Sequence, residues 1–214
     1  MPKGEYQVGG DAGLLGDGHG DASAGLLEAF SCAPGPVGWR YVGELRDAAS
    51  GAGGGRVDVT VDSRWRHGRV ELRTGGWLLR GGVAGPNVLW VRSGADGTDA
   101  AEQSAPAAGF WGASPVFLVT TARMLALEPG QQTSVALVAV TGTALATRTV
   151  RHRWTLVDIT DHPADLRPLR VERYEVADLD TGSVAEVHLA GDVVLSAPGV
   201  ELLNLDGPPT AASA

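Results

Sequence analysis

The sequence predicts a mainly β chain: an antiparallel barrel or half-barrel of about nine or ten strands wrapped around one amphipathic helix. Three observations carry this. Short segments with period-two alternation recur between turns drawn from 31 glycines and 12 prolines in 214 residues. One segment only, following Ser114-Pro115, has helical spacing. Tryptophan, with 6 copies, outnumbers both Phe and Tyr at 3 each, which suits the interior of a small barrel.

Residues 1–38 are rich in Gly, Asp, Ala and Pro and read as a flexible or loosely docked arm. Within it, residues 21–30 could form a short helix that docks Leu26, Leu27 and Phe30. The domain proper is expected over residues 39–206, with 207–214 as a disordered tail. Trp39, Tyr41, Gly43 and Leu45 share one face of the first strand. The hairpin of residues 57–73 follows. Val57, Val59 and Val61 alternate with Asp58, Thr60 and Asp62, and His67-Gly68 serves as the connection. Strands at 76–80 and 87–92 continue a meander, and 93–108 reads as a long exposed loop. Ser114 as N-cap and Pro115 at the first helical position start the helix, whose apolar face is Phe117, Leu118, Thr121, Ala122, Met124 and Leu125. A strand through Phe117–Thr121 is the competing reading. Residues 133–141, apolar on both faces, and 145–159 form further strands, and 169–176, 184–189, 192–196 and 200–205 complete the sheet.

The formal net charge of −8 argues against nucleic acid or an anionic membrane surface as partner. The single Cys32 gives no disulfide framework and no metal-type spacing. The longest apolar run, residues 135–140, is too short to span a bilayer, and residues 1–6 do not look like a secretory leader. A cytoplasmic protein without membrane insertion is expected, and a homodimer is compatible with these features. Lys3 is the only lysine, a bias that suits a GC-rich, actinobacterial-type source. The glycine cluster at 51–55 opens no helix and precedes no Lys-Ser/Thr, so it is not a phosphate cradle. No cofactor motif and no metal-ligand spacing is present; Asp158, Asp161, His162 and Asp165 crowd one loop as a solvated acidic turn.

Candidate ligand-lining residues are the aromatic and apolar side chains Trp39, Val59, Val61, Trp65, Trp77, Trp90, Phe117, Met124 and Trp154. The alternative is that they fill a solid core. His152 shares a face with Val150, Trp154 and Leu156, and Glu172 shares one with Tyr174 on the following strand. A Tyr–Glu–His group would suit proton transfer, so His152, Tyr174 and Glu172, with Tyr41, are the catalytic candidates. Arg64 and Arg66 read as solvent-side pairing, with an anionic headgroup as the functional alternative.

Three pieces in this order resemble a bacterial family described as glycolipid-binding. They are the strand ending in Asp62-Ser-Arg-Trp-Arg66, the block from Ser114-Pro115 through Thr120-Thr-Ala-Arg-Met-Leu-Ala-Leu-Glu-Pro-Gly130, and a strand pair ending in Arg173-Tyr174. The family's Asn-Thr-Leu-Pro-Ile within the helical block reads Leu118-Val-Thr-Thr-Ala122 here. The resemblance spans residues 39–176 and implies a half-barrel wrapped around a helix, with a hydrophobic ligand.

Two functions are compatible with these features. One is binding of an extended hydrophobic molecule, lipid- or polyketide-like, in an aromatic-lined cavity. The other is a cofactor-independent cyclase or isomerase of secondary metabolism, in which the same cavity would fold a polyketide-type substrate.

Overall fold

The computed structural model describes residues 1–9, 25–35, 38–164 and 168–210. One sheet of 15 strands holds nearly all of them, in the order β8-β7-β6-β5-β4-β3-β2-β1-β15-β14-β13-β12-β11-β10-β9. The first half is a meander: β1 (Lys3–Val8), β2 (Leu26–Pro34), β3 (Gly38–Asp47), β4 (Gly53–Asp62), β5 (His67–Arg73), β6 (Trp77–Ala84), β7 (Asn87–Gly94) and β8 (Ala101–Pro106). A short β9 (Gly109–Trp111) and the helix α1 (Val116–Leu125) follow. The second meander comprises β10 (Gln132–Thr141), β11 (Ala146–His162), β12 (Leu169–Asp178), β13 (Val184–Ala190), β14 (Val193–Ala197) and β15 (Val200–Asp206). Neighbours are antiparallel except β9 and β10, which run parallel because α1 crosses between them.

The sheet is not closed: β8 and β9 are its two edges and do not pair. It curls until β9 reaches the inner side of β5, where the Phe110 N–H donates to His67 Nδ1 at 3.1 Å. Side chains bind the approaching halves. Thr74 Oγ1 donates to the Thr143 carbonyl at 2.7 Å, Arg92 Nη1 to the Ala144 carbonyl at 3.1 Å, and Thr147 Oγ1 to Gln103 Oε1 at 3.0 Å. A half-barrel around one helix describes the result. The core is the inner face plus α1, with Val59, Val70, Leu79, Phe110, Val116, Trp154 and Val176 fully buried. Each such side chain contributes about 1.5–3 kcal/mol.

Four strands were not expected from the sequence. Lys3–Val8 and Leu26–Pro34, assigned above to an arm, are the central strands β1 and β2. The expected helix over 21–30 gives way to β2 from Leu26 onward, and residues 21–24 lie outside the described residues. The inner face of β2 is Glu28, Phe30 and Cys32, so a buried acid interrupts the alternation that would have marked it. The expected loop over 93–108 contains β8, whose residues are almost all exposed and carry no apolar face. The three residues of β9 are too few to show a period. In the tail, Thr210 is docked through its N–H to Asp192 Oδ1 at 2.7 Å, and residues 211–214 lie outside the described residues.

Three local assignments are also corrected. The hairpin turn is residues 63–66, and His67 is the first residue of β5, buried in the core. Ser114 makes no side-chain cap on α1; its hydroxyl donates instead to Glu28 Oε1 at 2.7 Å. Asp158 belongs to β11 and pairs with Arg173, and Asp165 lies outside the described residues.

Candidate functional site

The candidate aromatic residues form three ring groups along the inner face. The first crosses β1, β2 and β3: Tyr6 stacks on Phe30 at 4.6 Å, Phe30 on Tyr41 at 5.7 Å, and Tyr41 meets Trp39 at 5.9 Å. Trp39 in turn meets Trp65 at 5.3 Å. Val61 and Val59 lie opposite Trp39 and Tyr41 on β4. The second group joins Trp90, Phe110, His67 and Phe117. The third joins His152, Trp111, Trp154 and Tyr174, each ring edge-on to the next. Trp77 stands apart, half-buried beneath the Arg92 guanidinium at 4.3 Å. Met124 is half-buried near the end of α1.

The space beside Trp111, bounded by that ring, Leu118, Val176 and Val187, is about 10 Å³. That is room for one water at most.

Three polar centres sit among these rings. Glu28 is fully buried; its Oε1 accepts from Tyr41 Oη and from Ser114 Oγ, both at 2.7 Å, and its Oε2 has no partner among the described residues. Burial pushes its pKa up to about 7 against the lowering effect of these two hydrogen bonds. Burial, with the neighbouring Glu28, also raises the Tyr41 phenol well above its ordinary value.

At the second centre, His67 Nδ1 accepts from Phe110, so Nε2 of the neutral ring donates to Thr120 Oγ1 at 2.9 Å. The Thr120 hydroxyl donates in turn to the Val116 carbonyl at 3.0 Å. Burial alone lowers the His67 pKa to about 4, which keeps the ring neutral.

The third centre is Arg123, Glu172 and Tyr174. Glu172 Oε2 accepts from Arg123 Nη1 at 2.5 Å and from Tyr174 Oη at 3.1 Å. Arg123 also donates twice to the Gly191 carbonyl, at 3.0 and 2.6 Å. Two catalytic candidates, Tyr174 and Glu172, are thus brought together, but His152 does not join them. Tyr174 pairs with Leu156, and His152 is four residues back along β11, about 13 Å away at strand rise. His152 faces Trp111 at 4.7 Å, and burial lowers its pKa. Tyr41 belongs to the Glu28 centre. Glu28, His67, Thr120, Arg123 and Asp192 were not singled out in the sequence. The local signal was weak, because each works through partners distant in the chain.

One end of the half-barrel collects several of these residues. Trp39 Nε1 donates to Asp192 Oδ2 at 3.1 Å, and Arg123 grips Gly191, so β3 and the last turn of α1 hold the same β13–β14 turn. Trp65 packs on Trp39 there. Its turn is built on Asp62, whose Oδ1 accepts the N–H groups of Arg64 at 2.9 Å and Arg66 at 3.0 Å. Asp62 Oδ2 accepts Arg66 Nε at 2.9 Å, and the Trp65 N–H donates to the Asp62 carbonyl at 2.9 Å. This geometry holds Trp65 at φ 60°, a left-handed conformation usually given to Gly or Asn. A large side chain there costs about 1–2 kcal/mol of backbone strain.

No protein-family model and no curated protein matches the chain. Two solved structures resemble it. A β-barrel-like protein of domain of unknown function DUF1849 from Brucella abortus aligns over 96% of each chain, with 12% identity and a TM-score of 0.51. A DUF1089 family protein from Pseudomonas aeruginosa is 18% identical, covering 80% of this chain and 89% of its own, with a TM-score of 0.46. At 12% identity the likeness to the Brucella protein concerns the β-barrel-like fold alone. Among the described residues, no helix is long and apolar enough to cross a membrane.

Proposed function

We propose that the protein binds an extended hydrophobic small molecule, lipid- or polyketide-like, at the end of the half-barrel covered by Trp65. One observation carries the reading: a bulky aromatic occupies a left-handed turn position and is half-buried against Trp39. Strain of this kind persists where the side chain is needed, and it accumulates at binding sites. Four hydrogen bonds to Asp62 fix the turn, and Trp65 rests on a row of rings leading inward to Tyr6. Swinging Trp65 outward exposes Trp39 without breaking any strand pairing. The half-buried apolar residues Met124, Leu125 and Leu127 follow Arg123 at this end. The Asp-Ser-Arg-Trp-Arg segment of the glycolipid-binding resemblance is the same turn, which adds support from sequence.

The cyclase or isomerase alternative has less geometric support. Tyr174, Glu172 and Arg123 bond to one another and to Gly191, and His152 is about 13 Å from Tyr174 at strand rise.

N-phenyl-1-naphthylamine, a neutral apolar fluorophore, provides the test. Wild type should give a saturable increase in emission, and Trp65→Gly should bind at least tenfold more weakly. Stability should change little, because relief of about 1–2 kcal/mol of strain offsets lost packing on Trp39. Equal binding by the two proteins sinks the reading.

A further inference from the structure

The outer face of β4–β8 carries a charge arrangement that the interior reading does not use. Glu71 on β5 accepts from three arginines at 2.9 Å: Arg69 Nη2 and Arg80 Nε on Oε2, and Arg73 Nε on Oε1. The acid lies at the base, its side chain 9% exposed, while the arginine side chains are 58%, 49% and 56% exposed. Asp58, directly across from Glu71 on β4, is covered in the same way by Arg40. Solvent therefore meets guanidinium groups on this face, although the whole chain carries a net charge of −8. Desolvation pushes the Glu71 pKa up, but hydrogen bonds from Arg73, Arg69 and Arg80 outweigh it and hold it at about 2. The cluster is thus fixed in one ionisation state above strongly acid pH. Arg69 and Arg80 converge on one oxygen, and neither guanidinium has another protein hydrogen bond among the described residues. Most of their donors remain free.

Arg80 also borders a shallow hollow of about 560 Å³ over β6, β7 and β8, lined by Leu89, Val91, Glu102 and Ser104. Such a volume falls in the range of small-molecule sites. Cross-strand register explains it: Gly82 and Ser104 flank Leu89 with little side chain, and Arg80 and Glu102 flank Val91. Leu89 and Val91 are 46% and 37% exposed, an apolar strip in an otherwise charged face. Cation, apolar strip and anion follow one another from β6 to β8. That order suits a ligand with a charged head and an apolar body, and it sets the direction. Glu102 repels an anionic head from the β8 side, and Arg80 with Arg69 attracts it at the other.

We propose that the hollow is a second binding site, for a single amphipathic oxyanion. Its carboxylate or phosphate head sits on Arg80 and Arg69, and its unbranched apolar chain lies over Val91 and Leu89. Guanidinium forks match oxyanion geometry and give short, charge-assisted hydrogen bonds. The shared chemistry is an oxyanion on an alkyl chain, and decanoate and decyl phosphate represent its two sources.

Isothermal titration of the full chain with each, below its micelle concentration, is the experiment. At least one should bind at a single site, and 1-decanol and inorganic phosphate alone should bind at least tenfold more weakly. Arg69→Gln with Arg80→Gln should weaken the amphiphile at least tenfold. Because that pair also removes partners from Glu71, Leu89→Asp is the second variant; it makes no contact with Glu71 and should lose binding with an unchanged melting midpoint. Trp65→Gly should bind the amphiphile as wild type does, which separates this site from the interior one. No saturable binding to wild type overturns the proposal, as does equal binding of decanol and the amphiphile to the Trp65→Gly protein, or undiminished binding of the amphiphile to the Leu89→Asp protein.

Discussion

Glu28 and His67 are both buried without a counter-charge, and their shifts act on stability in opposite directions. The folded Glu28 pKa is raised to about 7 from 4.5, so between these values the folded chain holds a proton that the unfolded chain has lost. Stability from this group therefore falls as pH rises from about 4.5 to 7, by about 3 kcal/mol. The folded His67 pKa is lowered to about 4 from 6.5, so the unfolded chain holds the extra proton, and stability falls as pH drops through that window. Burial acts on His152 in the same sense as on His67. The two effects oppose each other between about pH 4.5 and 6.5. Glu28→Gln, which mimics the protonated acid between Tyr41 and Ser114 and beside Tyr6, should match wild type near pH 4.5 and exceed it by about 3 kcal/mol above pH 7. Urea unfolding across pH reads this directly, and a constant difference between the two proteins would contradict it. His67→Gln should lose the acid-side decline attributed to His67, while lowering the plateau by about 1–3 kcal/mol through unsatisfied Thr120 and Phe110 groups.

At the scale of the element, α1 shows how much a short helix depends on its surroundings. Ten residues are marginal as an isolated helix, and its preceding serine is spent on Glu28. Two side-chain clamps hold it: Thr120 on His67 of β5, and Arg123 on Glu172 of β12 and on Gly191. Arg123 and Glu172 side chains are 8% and 12% exposed, so removing one partner leaves a buried charge. Arg123→Leu should cost about 3–5 kcal/mol, and adding Glu172→Gln should recover part of it, a coupling that a double-mutant cycle measures. Additive losses would show that the pair does not act as a unit. The helix was legible in the sequence because Ser114-Pro115 marks its start and Phe117, Leu118, Thr121, Ala122, Met124 and Leu125 recur at helical spacing, although burial is continuous over Val116–Ala122. Strand β8 was not, since an edge strand exposed on both faces carries no hydrophobic pattern.

Across the whole molecule, the first and last strands pair in the middle of the sheet. Lys3 lies opposite Asp206 and Val8 opposite Val200, so β1 bridges the two meanders. It also supplies Tyr6, which stacks on Phe30 and accepts the Val194 N–H at 3.0 Å through its phenol oxygen. Deleting residues 1–8 would remove an arm on the sequence reading, with little effect. The structure predicts instead two half-sheets with new edges, and a loss on the order of 3–5 kcal/mol from Tyr6 alone. Against a typical total of about 5–15 kcal/mol, cooperative unfolding in urea should weaken or vanish. A truncated protein that unfolds at the wild-type midpoint would refute the bridging role.

What the sequence determined by itself was the repeated strand pattern, the single helix and the half-barrel class. These follow from local periodicity and turn residues, which act within a few positions of one another. The tertiary structure alone decided which aromatics meet. Six tryptophans suggested one cavity; long-range register sends Trp39 and Trp65 to one ring group, Trp90 to a second, Trp111 and Trp154 to a third, and Trp77 to Arg92. It decided too that Tyr174 keeps Glu172 and not His152, because strand pairing fixes separation along the sheet in steps that sequence alternation does not reveal. The buried charges were hidden for the same reason. Glu28 and Arg123 look like surface residues until the partners that satisfy them, 86 and 49 positions away in the chain, are brought alongside.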